Sequence, residues 1–448
     1  MKIAVVGAGY VGLVTASCLS EFGYEVICID NNKSKINQLK KNIIPIYEPG
    51  LSDLVKKNSK SKYLSFSTQI SSVKDAKIIF IAVGTPSSRR GDGEADLKYV
   101  FNATKDISKY LTKDKDKLII TKSTVPVGTG NEIQRIIYSL RPDLINNKDY
   151  FVASNPEFLR EGSAIEDFMR PDRVVCGVTS RKAQETLKEL YRPLNLREAP
   201  IIFTDLESAE IIKYASNAFL AIKISFINEM ANLCEKTGGN VQMVAKGMGL
   251  DNRIGPKFLH PGPGFGGSCF PKDTRALYSS FKKNKIKNTL IKAVIDFNEH
   301  RKISIANKIK KLLKPKIKKK VITILGVTFK PNTDDLRESP SLVIIPQLIK
   351  LGAIVRAHDP AFNSEFIKLK EFNKVKWYKN VLEAIKNSDL LVIHTEWNEY
   401  RGLDLLKVKK ALKRTIILDL RNIFNLEDMK KLNISYHGIG FKSQNEKK

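Results

Sequence analysis

The stretch Lys2–Leu13, KIAVVGAGYVGL, runs a short apolar strand into glycines spaced G-x-G-x-x-G at Gly7, Gly9 and Gly12. A second apolar run, EVICI, ends beside Asp30. Strand, glycine turn, helix, strand and a closing acid about 20 residues after the glycines is the pattern of a dinucleotide-binding βαβ unit. Gly7 makes the tight turn, Gly9 lets the backbone approach a pyrophosphate, and Gly12 lets helix and strand touch. Tyr10 and Val11 open the helix whose N-terminus attracts the phosphate charge. Asp30 is placed to accept hydrogen bonds from an adenosine ribose, and its charge would repel a 2'-phosphate, so NAD is expected over NADP. The glycines alone are equally consistent with a plain helix-packing turn; the acid and the position at the chain start favour the dinucleotide.

Further along, the runs KIIFIAV, KLIIT, FVAS and RVVCGV alternate with longer amphipathic segments, the rhythm of a parallel sheet with helical crossovers. Two strand-end turns, GTP at Gly84–Pro86 and STVPVGT at Ser123–Thr129, are expected at the same carboxyl edge, bounding the nicotinamide half. After Asp205 the texture changes. LESAEIIKYASNAFLAIKISFINEMANLCEKT has no Gly or Pro, carries an acid in its first turn and stops at Gly238 and Gly239. It reads as one helix of about 30 residues, roughly 45 Å long, joining two domains and packing against another subunit. From Val321 the strand rhythm restarts with VITILGVTFK, AIVRAHDP, DLLVIHT and TIILDL. The fold class is therefore α/β, with two Rossmann-like doubly wound domains. The expected segments are 1–204 for the dinucleotide, 205–309 for the helical centre and 310–448 for the second α/β domain. The second domain opens like the first, with Asp359 in the place of Asp30. The tail SQNEKK has the composition of a disordered end.

The 448 residues exceed what one core serves, and the formal charge of +29 would attract polyanions. The lysines, however, are spread along the chain without a groove-entering motif or aromatic platform, so nucleotide phosphates are expected as partners and nucleic acid is not. Five dispersed cysteines argue against a disulfide framework and for a reducing, cytoplasmic setting. No C-x-x-C or histidine pair suggests a metal, and no apolar run suggests a membrane span.

Four of the cysteines, Cys18, Cys28, Cys176 and Cys234, lie in apolar helix or strand patterns and read as inert small hydrophobes. Cys269 does not. It follows PGPGFGGS and precedes Pro271, Lys272 and Asp273, a position suited to a helix N-terminus where a thiolate is favoured. That makes it a candidate nucleophile. Asp273 could cap the helix or act as a base toward water. Lys213 and Asn217, four apart on the long helix, share a face and suit either a solvated surface or a pair of oxyanion donors. NPEFLREG leaves a strand at the ligand edge with Glu157 and Glu161, available for water activation or for ordering a loop. Lys330 and Arg337, in GVTFKPNTDDLRESP, stand where phosphates would be met.

Taken in order, GAGYVGL, STVPVGT, NPEFLREGSA, AEIIKYASNAFLAIKISFINE, GFGGSCFPKD and FKPNTDDLRESP resemble the nucleotide-sugar dehydrogenase family over nearly the whole chain. The resemblance implies a dimer built through the long helix, NAD on the first domain and a UDP-sugar largely on the second. It implies four-electron oxidation of UDP-glucose to UDP-glucuronate, with GDP-mannose or an N-acetylated UDP-hexosamine as the sister substrates. By match to the motifs, Cys269 is the nucleophile, Lys213 and Asn217 are oxyanion donors, and Asp273, Thr124 and Glu157 handle water and protons. Lys35, Thr85, Thr124, Glu161, Lys272 and Arg337 join Asp30 as NAD contacts. The substrate contacts implied are the run Glu157, Phe158, Leu159, Arg160 and Glu161, with Lys213 and Asn217, and the loop Phe258, Leu259, His260, Pro261 and Gly262. Gly266, Lys330 and Arg421 complete that surface, and Arg253 matches an arginine lent by a neighbouring subunit. Two departures stand out: Leu420 occupies a glycine position before Arg421, and Phe441 an arginine position after the last G-I-G, both bearing on how the uridine diphosphate is gripped.

Overall fold

The computed structural model describes residues 1–88, 93–113, 115–195 and 199–442; the expected disordered tail SQNEKK lies outside them. The chain forms two compact units, Met1–Ser216 with Arg275–Ile286, and Asn217–Thr274 with Lys287–Lys448. The boundary falls within the helix Leu206–Thr237, whose 32 residues match the length read from its Gly- and Pro-free sequence.

In the N-terminal unit the strands are β1 (Lys2–Val6), β2 (Glu25–Ile29), β3 (Leu64–Ser67), β4 (Ile78–Ile81), β5 (Lys117–Thr121), β6 (Tyr150–Ser154), β7 (Val174–Val178) and β8 (Ile201–Thr204). Their order is β3-β2-β1-β4-β5-β6-β7-β8. All neighbours are parallel except β6 and β7. The chain crosses over between β1 and β4, the switch point at which a doubly wound sheet opens a crevice for ligand. Side chains alternate along each strand. Ile3 and Val5 therefore enter the core on one face, and Ala4 and Val6 the core on the other. Both faces are covered, which is why KIAVV is continuously apolar.

The C-terminal unit repeats the plan with β9 (Val321–Leu325), β10 (Ile354–His358), β11 (Lys376–Trp377), β12 (Leu390–Ile393), β13 (Ile416–Asp419) and β14 (Ser435–His437). The order is β11-β10-β9-β12-β13-β14, parallel throughout. One detail recurs in both sheets. The acid after the second strand accepts a backbone N–H from the turn after the first: Ala8 to Asp30 at 2.9 Å, and Val327 to Asp359 at 2.7 Å. Among the described residues no helix is long and apolar enough to cross a membrane.

Candidate active site

In the N-terminal unit the three motif glycines are required for different reasons. Gly7 has φ of 107°, and a Cβ there would fall 2.5 Å from the Ala82 carbonyl oxygen. A Cβ on Gly12 would overlap the Gly7 carbonyl, so Gly12 is the close approach of helix to strand. A Cβ on Gly9 would meet nothing within 4 Å. That open space lies where helix α1 (Tyr10–Glu21) begins and its free N–H groups gather, the place a pyrophosphate needs. Asp30 accepts from Asn32 N at 2.9 Å and from Lys35 Nζ at 3.1 Å, besides Ala8. Burial alone would raise its carboxyl; these backbone donors and the Lys35 ammonium bring it below the usual carboxylate range. Thr85 donates to the Thr124 carbonyl at 2.9 Å, and Ser123 to that of Val83 at 2.7 Å, lacing the two strand-end turns together.

The NPEFLREG loop leaves β6 and is held at its start. Asn155 Oδ1 accepts from Lys122 Nζ at 2.9 Å and from the Tyr191 hydroxyl, while its amide donates to Val175 O at 2.7 Å. Burial pushes the Lys122 ammonium down to about 8, against the pull of the Glu157 charge. Glu157 is buried; it accepts Leu159 N at 2.5 Å and pairs with Lys213 Nζ at 3.3 Å. Glu157 thus both orders the loop and faces a cation. Lys213 also stands 5.2 Å over the Phe158 ring, which Arg173 approaches at 3.7 Å. Arg160 is spent on Asp167 in an exposed ion pair. Lys213 is only 3% exposed and Asn217 7%, so the solvated-face alternative for this pair fails.

In the C-terminal unit Cys269 is half-buried, and its carbonyl accepts the first helical hydrogen bond, from Asp273 N at 2.8 Å. The thiol therefore stands at the N-cap of the helix Phe270–Lys283, 3.5 Å from the Ser268 hydroxyl. Asp273, one turn on, is 1% exposed. It does not cap the helix; it accepts from Asn217 Nδ2 at 2.6 Å and from Lys272 Nζ at 2.7 Å. The loop before the thiol is fastened by Asn228 to Gly262 N at 2.9 Å, by Asn298 to Phe265 N at 2.8 Å, and by Arg301 to Gly262 O at 3.0 Å. Gly264 and Gly267 hold left-handed φ of 114° and 83°, and a Cβ on Gly266 would strike the Glu338 carbonyl, which is why the loop is glycine-rich.

The expected substrate loop has mixed placements. Leu259 is in the core, Pro261 and Gly262 are buried, His260 is exposed, and Phe258 packs edge-on against Phe270 at 5.9 Å. Gly262 adjoins Arg421, whose Nη1 would lie 3.1 Å from a Cβ there. Arg421 in turn donates to His394 O at 2.8 Å and pairs with Glu396 at 3.0 Å. Lys330 lies 5.4 Å over Phe329. Two arginines are paired within their own loops: Arg337, exposed, with Asp335 at 2.8 Å, and Arg253 with Asp251 at 2.6 Å. The departures are packing choices: Leu420 is fully buried, and Phe441 stacks on Tyr436 at 6.0 Å. Among the described residues no three His, Cys, Asp or Glu side chains gather as a metal site. Sequence reading missed Glu48, Lys122 and Glu396, whose partners are remote in the chain and leave no local pattern.

An open glycine loop with an acid after the second strand of one doubly wound sheet, and a second such sheet in the same chain, define a dinucleotide-binding type of protein with two Rossmann-like units. Three models of the UDP-glucose/GDP-mannose dehydrogenase family match in order: the NAD binding domain at residues 1–195, the central domain at 207–300 and the UDP binding domain at 323–426. A UDP-glucose 6-dehydrogenase of Rhizobium meliloti is 48% identical over 443 residues, covering 98% of this chain and 99% of the relative. UDP-glucose 6-dehydrogenase TuaD of Bacillus subtilis is 49% identical over 440 residues, covering 98% and 93%. Among solved structures, a UDP-glucose dehydrogenase from Pyrobaculum islandicum superposes with a TM-score of 0.88 at 34% identity, covering 98% of both chains. A UDP-D-ManNAc dehydrogenase from Pyrococcus horikoshii gives 0.86 at 27%, covering 98% and 99%. The chain belongs to the UDP-glucose/GDP-mannose dehydrogenase family and is an NAD-dependent oxidoreductase.

Proposed function

We propose that this enzyme oxidises the primary alcohol of UDP-glucose to the carboxylate of UDP-glucuronate, removing four electrons at one site. The observation that carries the reading is Cys269 at a helix N-cap with the buried Asp273 one turn on. A dehydrogenase that stopped at the aldehyde would leave this thiol idle. When bound, NAD accepts one hydride in each oxidation, so two are consumed per sugar. The alcohol loses its proton to the Thr124 and Glu157 side, and the Cys269 thiolate adds to the aldehyde carbon to give a thiohemiacetal. Lys213 and Asn217 donate to its oxygen, a role whose loss typically costs on the order of a hundredfold or more in rate. After the second hydride leaves, the thioester carbon is attacked by water, which gives its proton to Asp273 as the C–S bond breaks and the thiolate returns. Lys213 faces Glu157 and Asn217 faces Asp273, so each proposed donor stands beside a carboxylate.

We assign Gly7, Gly9, Tyr10, Val11, Gly12, Asp30, Lys35, Thr85, Thr124, Glu161, Lys272 and Arg337 to the cofactor, and the loop ending at Gly262 with Gly266, Lys330 and Arg421 to the sugar nucleotide. We assign 1–204, 205–309 and 310–448 as the working segments. The homodimer is assigned to the long helix, where Phe219, Phe226 and Leu233, seven residues apart, are 62%, 41% and 55% exposed on one face. The five free thiols suit the cytoplasm, which subcellular fractionation checks. The deciding experiment counts NADH per UDP-glucose across a panel of nucleotide sugars. Two NADH from UDP-glucose, and no acid from Cys269→Ser, is the expected result; one NADH, or full turnover by the serine variant, rejects the thioester scheme.

A further inference from the structure

Glu48 lies in PIYEPG between β2 and β3, and nothing beside it in the chain explains a carboxylate that is only 8% exposed. Its donors come from two distant segments. Oε2 accepts from the Tyr10 hydroxyl and from Gly162 N at 2.6 Å, and Oε1 from Ala164 N at 2.7 Å. Gly162 N is also 3.0 Å from the Tyr10 hydroxyl oxygen, closing a three-way junction. Tyr10 is the first residue of α1, directly after the open Gly9. Gly162, in a left-handed turn with φ of 81°, directly follows Glu161 at the end of the loop that carries Glu157.

One buried, acceptor-only side chain therefore fastens the phosphate-binding turn to the carboxylate loop. An amide could not replace it without facing its own N–H groups toward the donors. A buried carboxylate with three donors has little freedom, and hydrogen bonds weaken steeply with misalignment. Displacement of the first turn of α1 is accordingly transmitted to Gly162. We propose that Glu48, acting through Tyr10, is a positioning residue that couples occupancy of the glycine loop to the placement of Glu157 and Glu161. The proposal rests on the proposed role of Glu157 in the reaction and on Glu161 as a cofactor contact.

The test compares wild type with Tyr10→Phe and Glu48→Gln, using NADH as the probe and hydrogen exchange of the peptide containing Gly162 and Ala164 as the readout. NADH is expected to slow exchange there at least tenfold in wild type. In Tyr10→Phe, which deletes one oxygen and should fold even if Glu48→Gln does not, NADH should still bind within about threefold of wild-type affinity. Its protection of this peptide should fall to less than a third, and kcat should drop about tenfold with KM for NAD changed less than threefold. Undiminished protection with unchanged kcat, or a loss of melting temperature alone, overturns the proposal. Exchange needs no turnover, so a wild type that oxidises no nucleotide sugar would sink the proposed reaction while the protection result still stands or falls by itself.

Discussion

The Asn217 amide donates to the Asp273 carboxylate across 2.6 Å, at a point where both side chains are buried. Asn217 and Lys272 both donate to this carboxylate, the group proposed above to take a proton from water. Asp273→Ala is expected to lower kcat about a hundredfold or more while the first turnover survives. Mass spectrometry should find sugar-nucleotide acyl groups accumulating on Cys269. An unmodified thiol during turnover would place Asp273 elsewhere in the reaction.

The motif glycines can be separated experimentally. Gly12→Ala forces a methyl into the Gly7 carbonyl and should destabilise the fold by about 1–3 kcal/mol. Gly9→Ala adds its methyl to open space, so its melting temperature should match wild type while KM for NAD rises at least tenfold. Equal melting losses in both variants would contradict this division of labour.

Asp30 is held ionised directly after β2, where the ribose contact proposed for it would set cofactor choice. Asp30→Ser should raise KM for NAD and narrow the preference over NADP, measured as the ratio of the two kcat/KM values. An unchanged ratio would remove the acid from ribose recognition.

Lys122 gives a pH signature. Its folded pKa of about 8 lies below the ordinary lysine value, so between about pH 8 and 10.5 the unfolded chain holds the extra proton. Stability contributed by this position should rise with pH through that window, by on the order of 3 kcal/mol. Relative to Lys122→Met, wild type should be at its least favourable near pH 7 and gain steadily toward pH 10. Parallel melting curves across that range would show that the amine is not so perturbed.

On the long helix, Phe226→Glu together with Leu233→Glu should give a monomer by sedimentation, since two charges on the exposed stripe cannot be buried unpaired. A dimer that persists would move the interface off this face.

Much of this architecture was legible because it is written locally. The glycine turn with its acid, the long uninterrupted helix and the thiol before Pro271 each sit within a few turns of chain, where periodicity and backbone demands act. What escaped was assembled from distant pieces. Glu48 meets partners 38 and 114 residues away, and Asn155 finds Tyr191 36 residues on. Arg421 was foreseen as a substrate contact, but its hold on His394 and Glu396 depends on β12 and β13 lying side by side. Phe441 looked like a lost arginine; against Tyr436 it is a ring that fills the end of a core.

The acid at the end of the second sheet's β10 has one further implication. Asp359 takes N–H bonds from Val327, Thr328 and Ala361 and is 4% exposed, and burial raises its carboxyl despite those donors. Turned inward, it has nothing left to offer an adenosine. A protein with two copies of the same nucleotide-reading architecture should accordingly titrate with a single equivalent of NADH per polypeptide, its twin sheet left free for a pyrimidine guest.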